Sequence, residues 1–253
     1  MIYIIFLLFT LFIIIFVLYE MQYFLVFSPR YSRKEKLEDN CEMLSITSDD
    51  GVELEGVIYK RDKTSNIILF FGAREQDSVG LINRLAKRYK NSSIIAFNYR
   101  SYGRSEGSLT EKNIFSDALK IAKVVKRNYG DFYILGYSLG ASVGLYVASK
   151  MQTRGVFLVG AFDSLASLVK QKLKVNLSWF LKYKFDNLEF LKFVDAKVYI
   201  FASKEDEIVS TFSSQNLKKA VKNLKLYKEF DGLNHKELFW SERVNQEINK
   251  ILK

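Results

Sequence analysis

Gly136-Tyr137-Ser138-Leu139-Gly140 sets a serine between two glycines in the pattern G-x-S-x-G. The residues before it, Phe132 to Leu135, form a short apolar run that reads as a buried strand. Those after it, Ala141 to Lys150, read as a helix. A strand that turns at once into a helix brings backbone against backbone, and two residues without Cβ permit the approach. The bend pushes the Ser138 hydroxyl out at the top of a sheet. It also sets it at a helix N-terminus, where free N–H groups and the helix dipole favour developing negative charge. The chemistry this suits is nucleophilic attack. The bland alternative is a chance match in a loop, against which the flanking strand and helix count.

A serine hydroxyl attacks well only when a base takes its proton. The chain has one imidazole, His235, within Phe230-Asp-Gly-Leu-Asn-His-Lys-Glu-Leu-Phe239, between the last expected strand and the last expected helix. A carboxylate must then orient the ring and stabilise its charged form. Past the strand expected at Val198 to Phe201, Glu205, Asp206 and Glu207 compete for this role. Asp231 is an outsider, so close to His235 in sequence. A tetrahedral oxyanion needs two backbone N–H groups. Leu139, the residue after the nucleophile, supplies one. The loop Phe71-Gly72-Ala73-Arg74 supplies the other, with Ala73 as the expected donor.

These residues need a scaffold, and the pattern for one runs through the chain. Leu44 to Thr47 and Val52 to Tyr59 read as a hairpin across Ser48-Asp49-Asp50-Gly51. Buried strands are expected at 67–71, 93–97, 132–135, 156–159, 198–201 and 224–230. Helices are expected at 79–89, 114–129, 141–150, 215–221 and 237–252. Alternation of this kind implies α/β architecture with a mostly parallel, doubly wound sheet. About thirty residues between Ala161 and Val194 interrupt it and form a candidate lid. Their apolar members Leu165, Leu168, Leu173, Leu177, Trp179, Phe180 and Leu181 either line an acyl pocket or bury the insert's own underside; packing is the favoured role.

Met1 to Leu18 carry no charged side chain. As a helix they extend about 27 Å, enough to cross most of a hydrocarbon core, and Tyr19 and Tyr23 suit the headgroup interface. The stretch lacks the basic start, short apolar core and small-x-small site of a cleavable signal, so residues 1–27 are expected to be a transmembrane anchor. A charged linker (28–42) and a catalytic domain (43–253) follow. Arg30, Arg33, Lys34 and Lys36 then put that domain in the cytoplasm by the positive-inside rule. Net charge is +10, without a nucleic-acid recognition motif; a solvated or membrane-facing basic surface is expected, and no nucleic-acid partner. A single cysteine, Cys41, excludes an internal disulfide and a cysteine metal cluster.

Taken together, the motifs resemble the α/β-hydrolase superfamily, and within it the membrane-anchored branch of lysophospholipid lipases, protein depalmitoylases and serine-aminopeptidase-like hydrolases. Phe97-Asn-Tyr-Arg-Ser-Tyr-Gly-Arg-Ser-Glu-Gly107 resembles that branch's DYRGYGxSEG segment, Gly136 to Gly140 its nucleophile motif, and Ala161-Phe-Asp-Ser-Leu165 its PFxSL. Gly232-Leu-Asn-His235 resembles GxxH. Lys204-Glu-Asp-Glu-Ile-Val209 resembles the xxDxxV acid loop, which selects Asp206. Phe71-Gly72-Ala73 departs from the usual His-Gly-Asn, and Ser210 stands where a proline is common. The resemblance implies an α/β-hydrolase fold with a short helical lid and a Ser138-His235-Asp206 triad acting on an acyl ester or thioester of lipid type. It requires neither a metal nor an organic cofactor, and no obligate protein partner is evident. A peptidase of the serine-aminopeptidase type would use the same triad, and a degenerate anchored scaffold is the alternative from outside enzymes.

Overall fold

The strands anticipated from apolar runs assemble into one eight-stranded sheet in the order β1-β2-β4-β3-β5-β6-β7-β8. The computed structural model describes residues 1–32, 36–61 and 66–253. Strand β1 (Cys41–Thr47) pairs antiparallel with β2 (Glu53–Tyr59), and β2 antiparallel with β4 (Ser93–Phe97). From there β3 (Ile67–Phe71), β5 (Tyr133–Tyr137), β6 (Gly155–Val159), β7 (Val198–Ser203) and β8 (Leu224–Phe230) run parallel. The central strands are apolar on both faces because helices cover both. Alternate residues of β3 show this. Leu69 and Phe71 enter one core, beneath α3 (Glu111–Tyr129) and α4 (Leu139–Lys150). Ile68 and Phe70 enter the other, beneath α2 (Ile82–Arg88), α8 (His235–Trp240) and α9 (Glu242–Ile251).

The expected single helix over 237–252 is two helices. Ser241 (φ −67, ψ 132) ends α8 and caps α9, its Oγ accepting from the Arg243 amide at 3.2 Å. Helix α2 begins at Ile82 instead of Val79, because the Asp77 carboxylate takes the Gly80 amide at 3.0 Å and holds the preceding residues in a turn. Conversely α3 starts three residues earlier than its apolar pattern. There a capping box between Thr110 and Asn113 satisfies the first free amides.

Helix α1 (Ile2–Val26) is long and apolar enough to cross a membrane, with mean hydropathy 3.0 in its most apolar window and no residue of that window buried. Its last turns do pack: Gln22, Val26 and then Phe27 are buried. The Phe27 ring meets Tyr183 at 4.9 Å and Phe185 at 6.1 Å. The segment after it is tied to the domain as well, the Ser28 amide donating to the Tyr102 hydroxyl at 3.0 Å and the Ser32 amide to Asp77 at 3.0 Å. Sheet pairing starts at Cys41, two residues before the expected domain boundary. Of the four basic residues used to orient the chain, Arg33 and Lys34 lie outside the described residues. The insert between β6 and β7 contains α5 (Leu165–Leu173) and α6 (Asn187–Leu191). Its apolar residues divide: Leu165 and Leu168 pack on the core, whereas Leu173 and Trp179 are exposed and do not bury the insert's underside. Helix α7 (Thr211–Ala220) joins β7 to β8.

Candidate active site

Ser138 sits at the bend between β5 and α4 with φ 54 and ψ −116. A positive φ is uncommon for a residue with a side chain and marks local strain at a sharp turn. Both flanking glycines are sterically required. A Cβ on Gly136 would lie 2.6 Å from the Ala141 Cα, and one on Gly140 would lie 2.0 Å from the Phe71 carbonyl oxygen. The second clash is with backbone on β3, so Gly140 is what lets α4 settle against the loop that carries Ala73.

His235 is the first residue of α8, and a capping box between Asn234 and Glu237 fixes the helix start. Its ring lies against Tyr137, which precedes Ser138, and against Gly160, just past the end of β6. It stacks on Tyr137, centroids 5.2 Å apart, and a Cβ on Gly160 would approach its Cε1 to 2.9 Å. Gly160 follows Val159, whose carbonyl receives the Ser138 amide at 3.0 Å. Nδ1 of His235 is 2.7 Å from Oδ2 of Asp206, and both residues are buried. The other Asp206 oxygen accepts from the Ile208 and Val209 amides at 2.9 and 2.7 Å. A ring that donates through Nδ1 to a carboxylate keeps its lone pair on Nε2, the nitrogen free to accept a proton. Beneath the ring, the Tyr137 hydroxyl donates to the His235 carbonyl at 3.0 Å. Burial holds that phenol well above its usual range, so it stays a neutral donor.

The three carboxylates of the acid loop divide their work. Asp206 takes the imidazole. Glu205 accepts from the Gly232 amide at 2.7 Å and Glu207 from the His235 amide at 2.9 Å, so both pin the loop that carries the ring. Asp231 faces away and pairs with Lys204 at 2.7 Å on the surface. In the sequence the two glutamates compete with Asp206 for the acid role; their partners are backbone amides, which leave no trace in residue types.

On the other side of the bend, Leu139 opens α4, and an amide at that position has no partner within its own helix. The Ala73 amide does have one: it donates to Gln76 Oε1 at 2.9 Å. A side-chain carbonyl thus occupies the expected second oxyanion donor, and an acyl oxygen would have to replace it. Gln76 went unnoticed in the sequence because it lies in no motif. The loop beneath is held from the 98–107 segment, where Tyr99 donates to the Gly72 carbonyl at 2.9 Å and Tyr102 to that of Arg74 at 2.5 Å.

Over 195 residues the chain is 27% identical to an uncharacterised protein of Acanthamoeba polyphaga mimivirus, covering 68% of this chain and 66% of that one. Over 64 residues it is 38% identical to the lysophosphatidylserine lipase ABHD12 of Danio rerio, covering 24% of this chain and 17% of the lipase. The chain therefore spans less than two thirds of the length of either curated relative. No protein-family model matches it. Its fold superposes on the Pyrococcus furiosus esterase Pf2001 with TM-score 0.68 at 15% identity, over 90% of this chain and 97% of the esterase. The chain has the α/β-hydrolase fold.

Within this fold, two further motif residues prove to be architectural. Arg100 is buried and forms paired bonds to Asp117 at 2.7 and 2.9 Å and to Asp50 at 2.7 Å twice. Asp163 of the Ala161 to Leu165 motif is also buried. It accepts from Ser213 Oγ at 2.6 Å and Asn216 at 2.8 Å, fastening α7 below the insert. Among the described residues no group of three or more His, Cys, Asp or Glu side chains is arranged to hold a metal ion.

Proposed function

We propose that this α/β hydrolase is a membrane-anchored serine hydrolase that cleaves acyl esters or thioesters of lipid-like substrates. The observation that carries the reading is the 2.7 Å contact between His235 Nδ1 and Asp206 Oδ2, with the ring stacked on Tyr137, the residue before Ser138. In this reading Nε2 of His235 takes the Ser138 proton as Oγ attacks the acyl carbon. Asp206, its other oxygen held by two amides, stabilises the imidazolium. The Leu139 amide and the Ala73 amide, once Gln76 gives way, receive the oxyanion. Collapse breaks the bond to the leaving oxygen or sulfur, which departs with the proton from His235. Water, deprotonated by the same ring, then releases the acid from Ser138.

Helix α1 supplies the anchor, since its apolar length matches a hydrocarbon core and nothing in the fold covers its most apolar window. Arg30 and Lys36, with Arg33 and Lys34, favour a cytoplasmic catalytic domain. The lipid character of the substrate follows from that anchor and from the lipase among the relatives. The test is labelling by a fluorophosphonate probe alongside turnover of a panel of acyl esters and aminoacyl substrates. Labelling of the wild type and none of Ser138→Ala is the expected result; equal labelling of the two overturns the reading, and turnover of aminoacyl substrates alone would favour a peptidase.

A further inference from the structure

The insert between β6 and β7 is fastened to the final turns of α1. Gln22, a polar residue near the end of this helix, donates from Nε2 to the Phe180 carbonyl at 3.0 Å and accepts the Lys182 amide on Oε1 at 2.8 Å. Lys182 also pairs with Glu20 at 2.6 Å, and Phe180 packs edge-on against Tyr19 at 5.8 Å. The insert thus climbs alongside the helix for about two turns, roughly 10 Å, as far as Tyr19. Next to Phe180 the Trp179 ring points outward and is 81% exposed.

What the insert leaves uncovered has a consistent character. Leu173 and Val175 are more than half exposed, as is Phe212 just beyond the acid loop. From Ser164 to Phe185 the chain contains five lysines and no acidic residue, and Lys170, Lys172 and Lys174 are all exposed. An aromatic ring with an apolar body and a polar edge, flanked by aliphatic side chains and lysines, is the composition that binds at a lipid headgroup layer with anionic character. An open groove of about 370 Å³ is lined by Lys172, Lys174 and Phe212 of this surface and by Asp206 and Glu207 of the acid loop.

We propose that this face of the insert docks on the headgroup layer of the bilayer crossed by α1, with Trp179 at the depth of Tyr19. The inference rests on α1 being the anchor. In full-length protein carrying Trp240→Phe, Trp179 is the one tryptophan left. It is placed in nanodiscs of phosphatidylcholine and phosphatidylserine whose acyl chains are brominated either beside the headgroup or near the bilayer centre. Trp179 emission should fall most with the shallow bromines. A second reporter, Phe12→Trp with both native tryptophans replaced by phenylalanine, should be quenched most by the deep ones. Quenching of the α1 reporter without quenching of Trp179 overturns the docked face and leaves the anchor standing. Quenching of neither overturns both. Charge reversal of Lys170, Lys172 and Lys174 to glutamate should weaken Trp179 quenching in the phosphatidylserine discs and leave the α1 reporter unaffected; undiminished quenching removes the anionic surface from the proposal.

Discussion

Two buried charged assemblies stand at opposite ends of the parallel sheet's working edge, and they are built differently. Around Arg100, two carboxylates meet one guanidinium through four bonds, and the donors and acceptors face one another. Around His235, one carboxylate is saturated by two amides and a ring nitrogen, while the ring itself has a second nitrogen to offer. The first arrangement can only hold the 98–107 segment in place. The second is an incomplete circuit that a proton from outside can close. Burial and bond number do not separate the two assemblies; the uncommitted ring nitrogen does.

The contrast can be broken most severely at Ser138. Alanine there should lower ester turnover by about 10⁴-fold or more, read from initial rates on a soluble ester, with little change in thermal stability. Asp206→Asn should follow with a loss of roughly 10³- to 10⁴-fold in kcat/KM, because an amide holds the ring in the wrong tautomer. The clamp should answer on the other axis. Arg100→Met leaves two carboxylates unpaired, one of them buried, and should cost about 3 kcal/mol of unfolding free energy in urea titration. Gln76→Ala should tighten binding of a boronate transition-state mimic by about fivefold, the worth of one displaced hydrogen bond. Weaker binding would mean that Gln76 shapes the loop instead of competing for Ala73.

The smallest effect concerns acid. Arg100 holds the Asp50 carboxyl well below its ordinary 3.8. A depressed carboxyl contributes stability that is present above its unfolded value and lost as pH falls through the folded one. Wild-type melting temperature should therefore decline from about pH 4 downward, and Arg100→Met should flatten that part of the curve. Parallel curves would show that the pairing of Arg100 with the exposed Asp50 contributes nothing measurable.

What could be read from residue types was whatever a short stretch enforces on itself. Gly136 and Gly140 are legible as glycines because any Cβ there strikes backbone a few residues away or on the adjoining strand. The apolar strands are legible because both of their faces are covered. His235 stood out by being the only imidazole, and Asp206 was selected by family resemblance, not by chemistry, since Glu205 and Glu207 offer the same group. Contacts between a side chain and a distant backbone were not legible. Gln22 and Phe180 lie 158 positions apart, and a carbonyl or amide partner has no residue identity to betray it. The break at Ser241 was local and could have been seen, as a serine before Glu242 is an ordinary helix start.

The Gln22 contacts carry a practical corollary for anyone exchanging the N-terminal segment. A foreign apolar helix of equal length would leave the Phe180 carbonyl and Lys182 amide without their mates and would empty the slot filled by Phe27. A working chimera should keep Glu20, Gln22 and Phe27 in register and vary only what precedes Tyr19.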